Sequence, residues 1–418
     1  MKMRYKMKPD NRQKLINYFQ GGATPPEKRK IGLELEHFVI EAETRKTIGY
    51  YDGIEEILQE LAPQFQETIE SQGHIIGLKG KDMIITLEPG AQLEVSLSPH
   101  RSIHGIRNNY RKFLKILSPA LVKRGYELAN LGYQPRNKAA DMPLIPKERY
   151  ELMDAYFQTK GSRGINMMRG SAATQVSLDY IDEEDFRCIY NVASILSPLL
   201  ALLTDNSPIF EGARYNQHLA RTMIWNDVDF SRPVNPDFSL QEGTGFSDYA
   251  DFILNHPCIL VPDGDKMRYT GETPVKEIYK EQEMTDEDIE HVLSMFFPDI
   301  RLKNFLEIRM ADSMDMPFAL SYAALLKGLF YCEANKERFY AMKNNYTVAD
   351  IAAAKEALMR DGYQAKVYDE SPQYILNTIF TFAEGGLEQE EKVYLAPLAA
   401  IVNRGETLAS AAKEYYNL

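Results

Sequence analysis

Polar and apolar side chains alternate in four separate stretches of the chain, an arrangement typical of β-strands. In the first stretch, residues 32–40, Glu34 and Glu36 share one face and apolar side chains occupy the other. Two carboxylates placed this way lie about 7 Å apart and repel each other by about 2 kcal/mol at an effective dielectric of about 20. A cation should therefore lie close to this face, unless the strand is exposed and its acids are solvated.

The second stretch, residues 84–97, carries Glu88, Gln92 and Glu94 on its polar face. A Pro-Gly pair directly after Glu88 predicts a bulge or kink, so the orientation of Glu88 is less well defined than that of Glu94. The two remaining stretches, residues 174–180 and 302–310, carry these polar side chains: Gln175, Ser177 and Asp179 in the first, and Lys303, Glu307 and Arg309 in the second.

These polar faces would meet in one cavity if a single sheet curled so that they converged. The carboxylates brought together would be Glu34, Glu36, Glu88, Glu94 and Glu307. Oxygen ligands without a His or Cys cluster favour a hard ion such as Mg²⁺ or Mn²⁺ over Zn²⁺. Such an ion usually serves a phosphate, which indicates nucleotide chemistry with a guanidinium such as Arg309 on the transferred group. The alternative is four unrelated, exposed strands.

Apolar residues recur at helical spacing in several longer segments. Residues 104–124, 182–203 and 285–296 are predicted helices, and nearly all of the chain after residue 317 is predicted to be helical. We find no internal repeat, low-complexity segment or obvious linker between domains, although 418 residues could form two or three domains on length alone.

Composition excludes several classes of function. The formal net charge of −12 argues against general binding to nucleic acids or anionic membranes, while a local cationic pocket remains possible. Residues 1–20 lack the apolar core of a signal peptide, and the apolar stretch at 195–203 is too short to span a bilayer. The three cysteines are far apart and form no metal or disulfide pattern. We therefore expect a soluble, cytoplasmic protein with buried thiols.

Six motifs, in order along the chain, resemble the glutamate–cysteine ligase family, in its plant-type and proteobacterial branch. They are residues 31–38, 86–96, 167–168, 175–179, 224–229 and 297–312. The resemblance implies an α+β, glutamine-synthetase-like fold, in which an antiparallel sheet curls into a funnel wrapped by helices. It implies one catalytic unit over residues 1–418, with the active-site sheet in about 30–315 and a helical C-terminal region in about 317–418.

The resemblance also implies a reaction and its participants. ATP would phosphorylate the side-chain carboxylate of glutamate, and the amine of cysteine would attack the acyl phosphate to give γ-glutamylcysteine, ADP and phosphate. This is the first step of glutathione biosynthesis. The expected partners are these small molecules and more than one Mg²⁺ or Mn²⁺ ion, with no nucleic acid or membrane.

Site residues follow from the matching positions. Glu34, Glu36, Glu94 and Glu307 match the family's metal-binding acids, and Glu88 is added from the strand pattern. Arg309, with Lys303 beside it, would contact the phosphates of ATP, and Arg221 would grip a substrate carboxylate; both arginines are therefore candidate catalytic residues. Further candidates for substrate binding are Trp225, Gln175, Ser177 and Gln92.

Two departures and three alternatives stay open. Ser177 stands where plant-type members have Asn, and residues 313–317 replace the family's Gly-Gly-Pro. A related ligase that joins glutamate to another amine would share the same acids. A non-catalytic binding homologue and a metal-dependent hydrolase acting without ATP are the other two alternatives.

Overall fold

The computed structural model describes residues 10–232, 234–264, 266–341 and 343–415. Of these, residues 413–415 are described by their backbone only. The strands are β1 (Ile31–Glu41), β2 (Glu67–Ser71), β3 (His74–Lys79), β4 (Met83–Leu87), β5 (Leu93–His100), β6 (Tyr126–Ala129), β7 (Ala173–Leu178), β8 (Ile209–Phe210), β9 (Ala213–Arg214), β10 (Leu260–Asp263), β11 (Lys266–Tyr269), β12 (Ile300–Leu302) and β13 (Leu306–Asp312).

The helices lie between and after these strands. They are α1 (Asn11–Gly21), α2 (Glu55–Leu61), α3 (Ile103–Val122), α4 (Glu148–Phe157), α5 (Glu183–Leu203), α6 (Ala220–Trp225), α7 (Phe246–Asn255), α8 (Val275–Ile278), α9 (Asp286–Leu293), α10 (Met316–Phe330), α11 (Glu333–Tyr340), α12 (Val348–Asp361), α13 (Pro372–Gly386), α14 (Ala396–Arg404) and α15 (Leu408–Tyr415).

Local sequence signals determine where several of these helices begin. Thr285 and Asp288 form a capping box at the start of α9, each side chain accepting a hydrogen bond from the other's backbone N–H. The Asp182 side chain caps α5 by accepting a hydrogen bond from the Asp185 N–H, and three acids follow in the first turn, where the helix dipole favours negative charge.

An antiparallel sheet in the order β12-β13-β7-β1-β5-β4-β3-β2 forms the centre of the molecule. The long strand β1 is its hub, because its first half pairs with β5 and β7 and its second half with β6. The predicted antiparallel sheet is therefore confirmed, and strands that are distant in sequence become neighbours through β1.

Helices cover the apolar side of this sheet. Leu33 and Leu35 of β1 are buried, α3 packs on β5, α5 packs on β13, and α10 contacts β1 and β7. By length and composition α5 could cross a membrane, but 89% of its apolar window is buried inside the protein. Its apolar surface is therefore part of the core.

Two predicted strands are in fact hairpins. Residues 84–97 form β4 and β5, which turn back on each other at residues 88–92, where Ala91 adopts a left-handed backbone with φ of 66°. Residues 302–310 belong to β12 and β13, joined by a tight turn in which the Lys303 N–H donates to the Phe305 carbonyl at 2.8 Å. The Pro-Gly pair after Glu88 was interpreted as a bulge within one strand, and the break in alternation at Asn304 and Phe305 was not recognised as a turn.

The thiols are only partly as predicted. Cys258 is buried, whereas Cys188 and Cys332 are partly exposed, and all three are free. The prediction that every thiol is buried is therefore wrong. Cys188 lies near the start of α5 and Cys332 lies directly before α11, and both positions are at the border of the core.

The helices after β13 pack on one another and on the helix α5. α10 contacts α13 and α14, while α11 and α12 contact α5. One continuous cluster of buried side chains extends from Leu15 to Leu408. This continuity supports the proposal that the chain forms a single catalytic unit.

A buried histidine ties the hub strand to its surroundings. The His37 Nδ1–H donates to the Leu93 carbonyl at 3.1 Å, which leaves Nε2 to accept from the Tyr110 hydroxyl at 2.8 Å. Burial lowers the pKa of His37 to about 4, so the ring is neutral and can both donate and accept. One imidazole thus links β1, β5 and α3.

We expect Tyr110→Phe to lower the free energy of unfolding by about 2 kcal/mol, because the buried Nε2 of His37 loses its donor. Chemical denaturation monitored by circular dichroism measures this loss. The control is Tyr126→Phe, which removes only an exposed, 3.4 Å hydrogen bond to the Asp52 carbonyl and should cost less than about 0.5 kcal/mol. Equal losses in the two variants would contradict the role given to His37.

Candidate active site

Cross-strand pairing puts the predicted acids in adjacent rows on one face of the sheet. Glu36 on β1 lies directly opposite Glu94 on β5, and Glu94 in turn lies opposite Thr86 on β4. Two residues earlier on β1, Glu34 pairs with Gln175 on β7. Because directly opposed side chains lie about 5 Å apart at Cβ, Glu36 and Glu94 repel each other strongly.

The next row brings cations to the same face. Glu307 on β13 lies opposite Ser177 on β7 and Arg301 on β12. A bulge follows in β13, and it places Arg309 where its guanidinium donates to the side-chain oxygen of Gln175 and to Glu307. The bulge therefore turns Arg309 toward the acidic rows.

A cavity of about 300 Å³ lies over this face. Its lining is Glu34, Glu36, Glu88, Pro89, Gln92, Glu94, Arg149, Tyr150, Met153, Met167, Met168, Ser171, Gln175, Arg221, Trp225, Ser294, Phe297, Arg301, Lys303 and Arg309. All the predicted site residues line it except Glu307, which is buried behind Arg301, Lys303 and Arg309, and Ser177, which lies further along β7.

Three acids in the cavity lack enough positive charge. Burial, followed by repulsion from neighbouring glutamates, raises the pKa of Glu34 to about 7, that of Glu36 to about 8 and that of Glu94 to about 7. Glu36 accepts hydrogen bonds from the Ala173 N–H at 2.7 Å and from Gln175, and Glu94 accepts from Thr86 at 2.6 Å. These neutral donors hold the carboxylates in place without balancing their charge.

Glu307 is in the opposite situation. Burial alone would raise its pKa, but Arg301 at 2.6 Å, Lys303 at 2.6 Å and Arg309 at 3.2 Å hold the pKa well below its usual range. This carboxylate therefore stays ionised and anchors three cations at one side of the cavity.

Arg221 enters the cavity from α6. It is 6% exposed, its Nη1 donates to the Ser171 hydroxyl at 3.4 Å, and its guanidinium lies 5.6 Å from the ring centre of Trp225. Within the described residues its Nε has no hydrogen-bond partner, and no carboxylate forms an ion pair with it. The group is placed to accept an anion from outside the protein.

Sequence reasoning missed several cavity residues, chiefly Arg149 and Tyr150 of α4 and Arg301 of β12. The signal for α4 was present, since Lys147 and Arg149 are two cations at the start of a helix that continues with apolar side chains. Arg301 lies within the matched motif at 297–312, but its pairing with Glu307 depends on the unrecognised hairpin.

The donor set of the acidic half suits a hard divalent cation, because it consists of carboxylate oxygens. Within the part of the chain that the structure describes, however, no three His, Cys, Asp or Glu side chains already converge as a set of metal ligands. The acids are near neighbours on the sheet, and Glu36 and Glu94 would turn from their protein donors to reach a shared ion.

Two further buried acids, Asp205 and Asp312, lie close to each other near Arg221. Asp312 accepts hydrogen bonds from the Asn206 N–H at 2.8 Å and from the Ser207 hydroxyl at 2.7 Å. Burial and the neighbouring Asp205 raise the pKa of Asp312 to about 7, an effect that Arg221 partly opposes. The carboxyl packs so closely on Gly132 that a Cβ there would come within 2.2 Å of it.

Comparison with known proteins identifies the family of this chain. Residues 30–416 match the profile described as glutamate-cysteine ligase family 2 (GCS2). The chain belongs to this family. The resemblance inferred from the six motifs is therefore confirmed over almost the whole chain.

Curated relatives and one solved structure agree with this assignment. Chloroplastic glutamate–cysteine ligases of Medicago truncatula and Arabidopsis thaliana are 29% and 28% identical over 98% of this chain, and the matches cover 82% and 80% of those proteins. The crystal structure of glutamate–cysteine ligase from Francisella tularensis in complex with AMP superimposes with a TM-score of 0.52 at 13% identity, covering 93% of this chain and 84% of that one. That likeness confirms the predicted α+β, glutamine-synthetase-like fold.

The prediction of a cytoplasmic location is wrong by this comparison. Glutamate–cysteine ligase A of Oryza sativa subsp. indica, 29% identical over 98% of the chain and 85% of that protein, is also chloroplastic, like the two relatives above. These relatives point to a plastid. Cysteine usage indicates a reducing environment, which does not distinguish the two compartments.

We expect the effect of Asp312→Asn on stability to depend on pH. The raised pKa of Asp312 means that, between about pH 4 and 7, the unfolded chain loses this proton and the folded chain keeps it, so wild-type stability falls as pH rises. The amide cannot ionise. From pH 5 to pH 8 the unfolding free energy of the variant should therefore gain about 2 kcal/mol relative to wild type.

Denaturation at both pH values measures this difference. The control, Asp141→Asn at an exposed position, should show no such gain. A constant offset between Asp312→Asn and wild type would contradict the assignment.

Proposed function

We propose that the chain is an ATP-dependent ligase that joins the γ-carboxylate of L-glutamate to the amine of L-cysteine through a γ-glutamyl phosphate. The single observation that carries this proposal is the cavity on the sheet of a glutamate–cysteine ligase family member, with acids on one side and cations on the other. Such a cavity suits substrates that bring carboxylate, phosphate and divalent cations together.

The cationic half supplies anion binding. Arg221 has free donors and a rigid fork, which suits a substrate carboxylate, and Trp225 supports one face of its guanidinium. Lys303 and Arg309, held by Glu307, add positive charge where phosphate oxygens would develop negative charge during transfer. Their attachment to the sheet keeps them oriented before substrate arrives.

Water must be kept from the acyl phosphate until the amine attacks. Met153, Met167 and Met168 line the cavity, as do the rings of Trp225 and Phe297, which are tilted against each other with centroids 5.5 Å apart. An apolar wall facing a charged sheet excludes bulk water and positions the amine, and orientation of this kind can account for much of a rate enhancement.

We propose Glu34, Glu36 and Glu94 as ligands of Mg²⁺ or Mn²⁺, with Glu88 beside them. Their raised pKa values indicate unbalanced negative charge, which an ion of this kind would neutralise. When bound, the metal would supply charge neutralisation for phosphoryl transfer. Glu307, also a predicted ligand, has its charge balanced by three cations.

Release of ADP by the purified chain tests the function. With ATP, Mg²⁺ and glutamate present, cysteine should stimulate ADP release more than other amino acids or simple amines do, and γ-glutamylcysteine should accumulate. Equal or greater stimulation by another amine would indicate the related ligase, and ADP release without glutamate would indicate a hydrolase. A chain that never releases ADP would contradict catalysis altogether.

We expect the apparent affinity for Mn²⁺, measured by electron paramagnetic resonance without substrates, to rise at least about tenfold from pH 6 to pH 8. Glu34, Glu36 and Glu94 hold protons at the lower pH because their pKa values are raised to about 7, 8 and 7, and the ion must displace these protons.

At pH 8, Glu34→Gln should weaken Mn²⁺ binding at least about tenfold, because it removes one anionic ligand. The control, Glu151→Gln, changes an exposed side chain on α4 and should leave the affinity unchanged. Affinity that is independent of pH and of Glu34 would contradict the proposed metal ligands.

A further inference from the structure

Two guanidinium groups in the cavity lack a carboxylate partner among the described residues. One is Arg221, already described, and the other is Arg149, from the first turn of α4. By contrast, Arg301, Lys303 and Arg309 all form ion pairs with Glu307. The three paired cations are occupied by the protein itself, and the two unpaired ones are available to ligands.

The contacts of Arg149 are few and weak. Its Nη2 donates to the Ser294 carbonyl at 3.2 Å, and its buried Nε has no hydrogen-bond partner in the described part of the chain. Burial lowers the pKa of Arg149; the negative charge of Glu88 opposes this in part, and repulsion from Arg301 adds to it. A guanidinium that is only partly compensated in such a place costs free energy that an incoming anion would offset.

Cations outnumber acids around Arg149. Arg301, which also lines the cavity, repels it, Lys147 lies two residues earlier with its ammonium 4.4 Å from the ring centre of Tyr150, and Glu88 offsets part of this charge. Such a concentration suits a ligand with several negative charges better than a single carboxylate. Arg221, whose charged neighbours include Glu36 and Asp312, has more negative charge around it.

We propose that Arg149 binds phosphate oxygens of the nucleotide co-substrate. Arg309, which the family resemblance assigns to that contact, is held on the sheet side of the cavity by Gln175 and Glu307, so Arg149 would be an additional contact from the helix side. The proposal rests on the proposed function, since it names the site of that function's nucleotide. A planar guanidinium with free donors can bind two phosphate oxygens at once.

Three variants of the full chain separate nucleotide binding from amino-acid binding. Arg149→Gln removes the proposed phosphate contact, and Arg221→Gln removes the other unpaired guanidinium of the same cavity. Arg111→Gln, at an exposed position on α3, controls for loss of one positive charge. Circular dichroism checks that each variant folds, and Arg149→Lys provides a version that keeps the charge but loses the fork.

Two measurements are made on each variant. The first is the Michaelis constant for ATP and for glutamate, from ADP release. The second is the dissociation constant of ATP and of AMP, from calorimetry without amino acids, because AMP lacks the β- and γ-phosphates.

We expect Arg149→Gln to raise the Michaelis constant for ATP at least tenfold and to change that for glutamate less than twofold. Arg221→Gln should give the reverse pattern. Arg149→Gln should also weaken ATP binding more than AMP binding, Arg149→Lys should restore part of the loss, and Arg111→Gln should match wild type.

A rise in the Michaelis constant for glutamate with unchanged ATP constants in Arg149→Gln would overturn the proposal in favour of a carboxylate contact. Unchanged constants for both substrates would overturn it in favour of a structural role. A wild-type chain that binds ATP but releases no ADP would overturn the proposed function alone, and the ATP and AMP dissociation constants would then decide the role of Arg149.

Discussion

Repulsion between carboxylates on one face of the sheet is the constraint around which the site is built. Glu36 and Glu94 occupy directly opposed positions on neighbouring strands, and Glu34 lies two residues along β1. Like charges in such positions destabilise a sheet, and burial adds to the effect. The protein's own cations balance these acids only in part, so the folded chain keeps protons there near neutral pH, and the external cation proposed above would replace them.

The cations of the cavity form two groups, one paired with a carboxylate of the protein and one unpaired. The β12–β13 hairpin and its bulge gather three of them around one ionised carboxylate, Glu307, while α4 and α6 each bring an unpaired arginine from the opposite wall. The sheet therefore provides fixed charge, and the helices provide charge that is free to bind. A reaction between a carboxylate and a polyphosphate needs both, because its charge moves from one anion to another as the bond is made.

Much of this arrangement of charged residues could be predicted from the sequence, and the remainder depends on tertiary structure. Alternation placed Glu34 and Glu36 on the functional face, because side chains in an extended strand repeat every two residues. The same alternation was extended across two turns, although Pro89-Gly90 and the Asn304-Phe305 pair interrupt it, and both hairpins were missed. Lys147 and Arg149 mark the start of a helix as cationic, but nothing local in the sequence states which surface that start will face. Ser177 shares a face with Gln175 yet lies beyond the cavity.

The burial of α5 has a consequence for biosynthesis. This helix leaves the ribosome before β13, α11 and α12, the elements that cover it, have been made. During that interval a segment apolar enough for a lipid bilayer is exposed to solvent, where it can associate with other chains. Successful folding therefore requires that this helix be shielded until the C-terminal third of the protein has been synthesised.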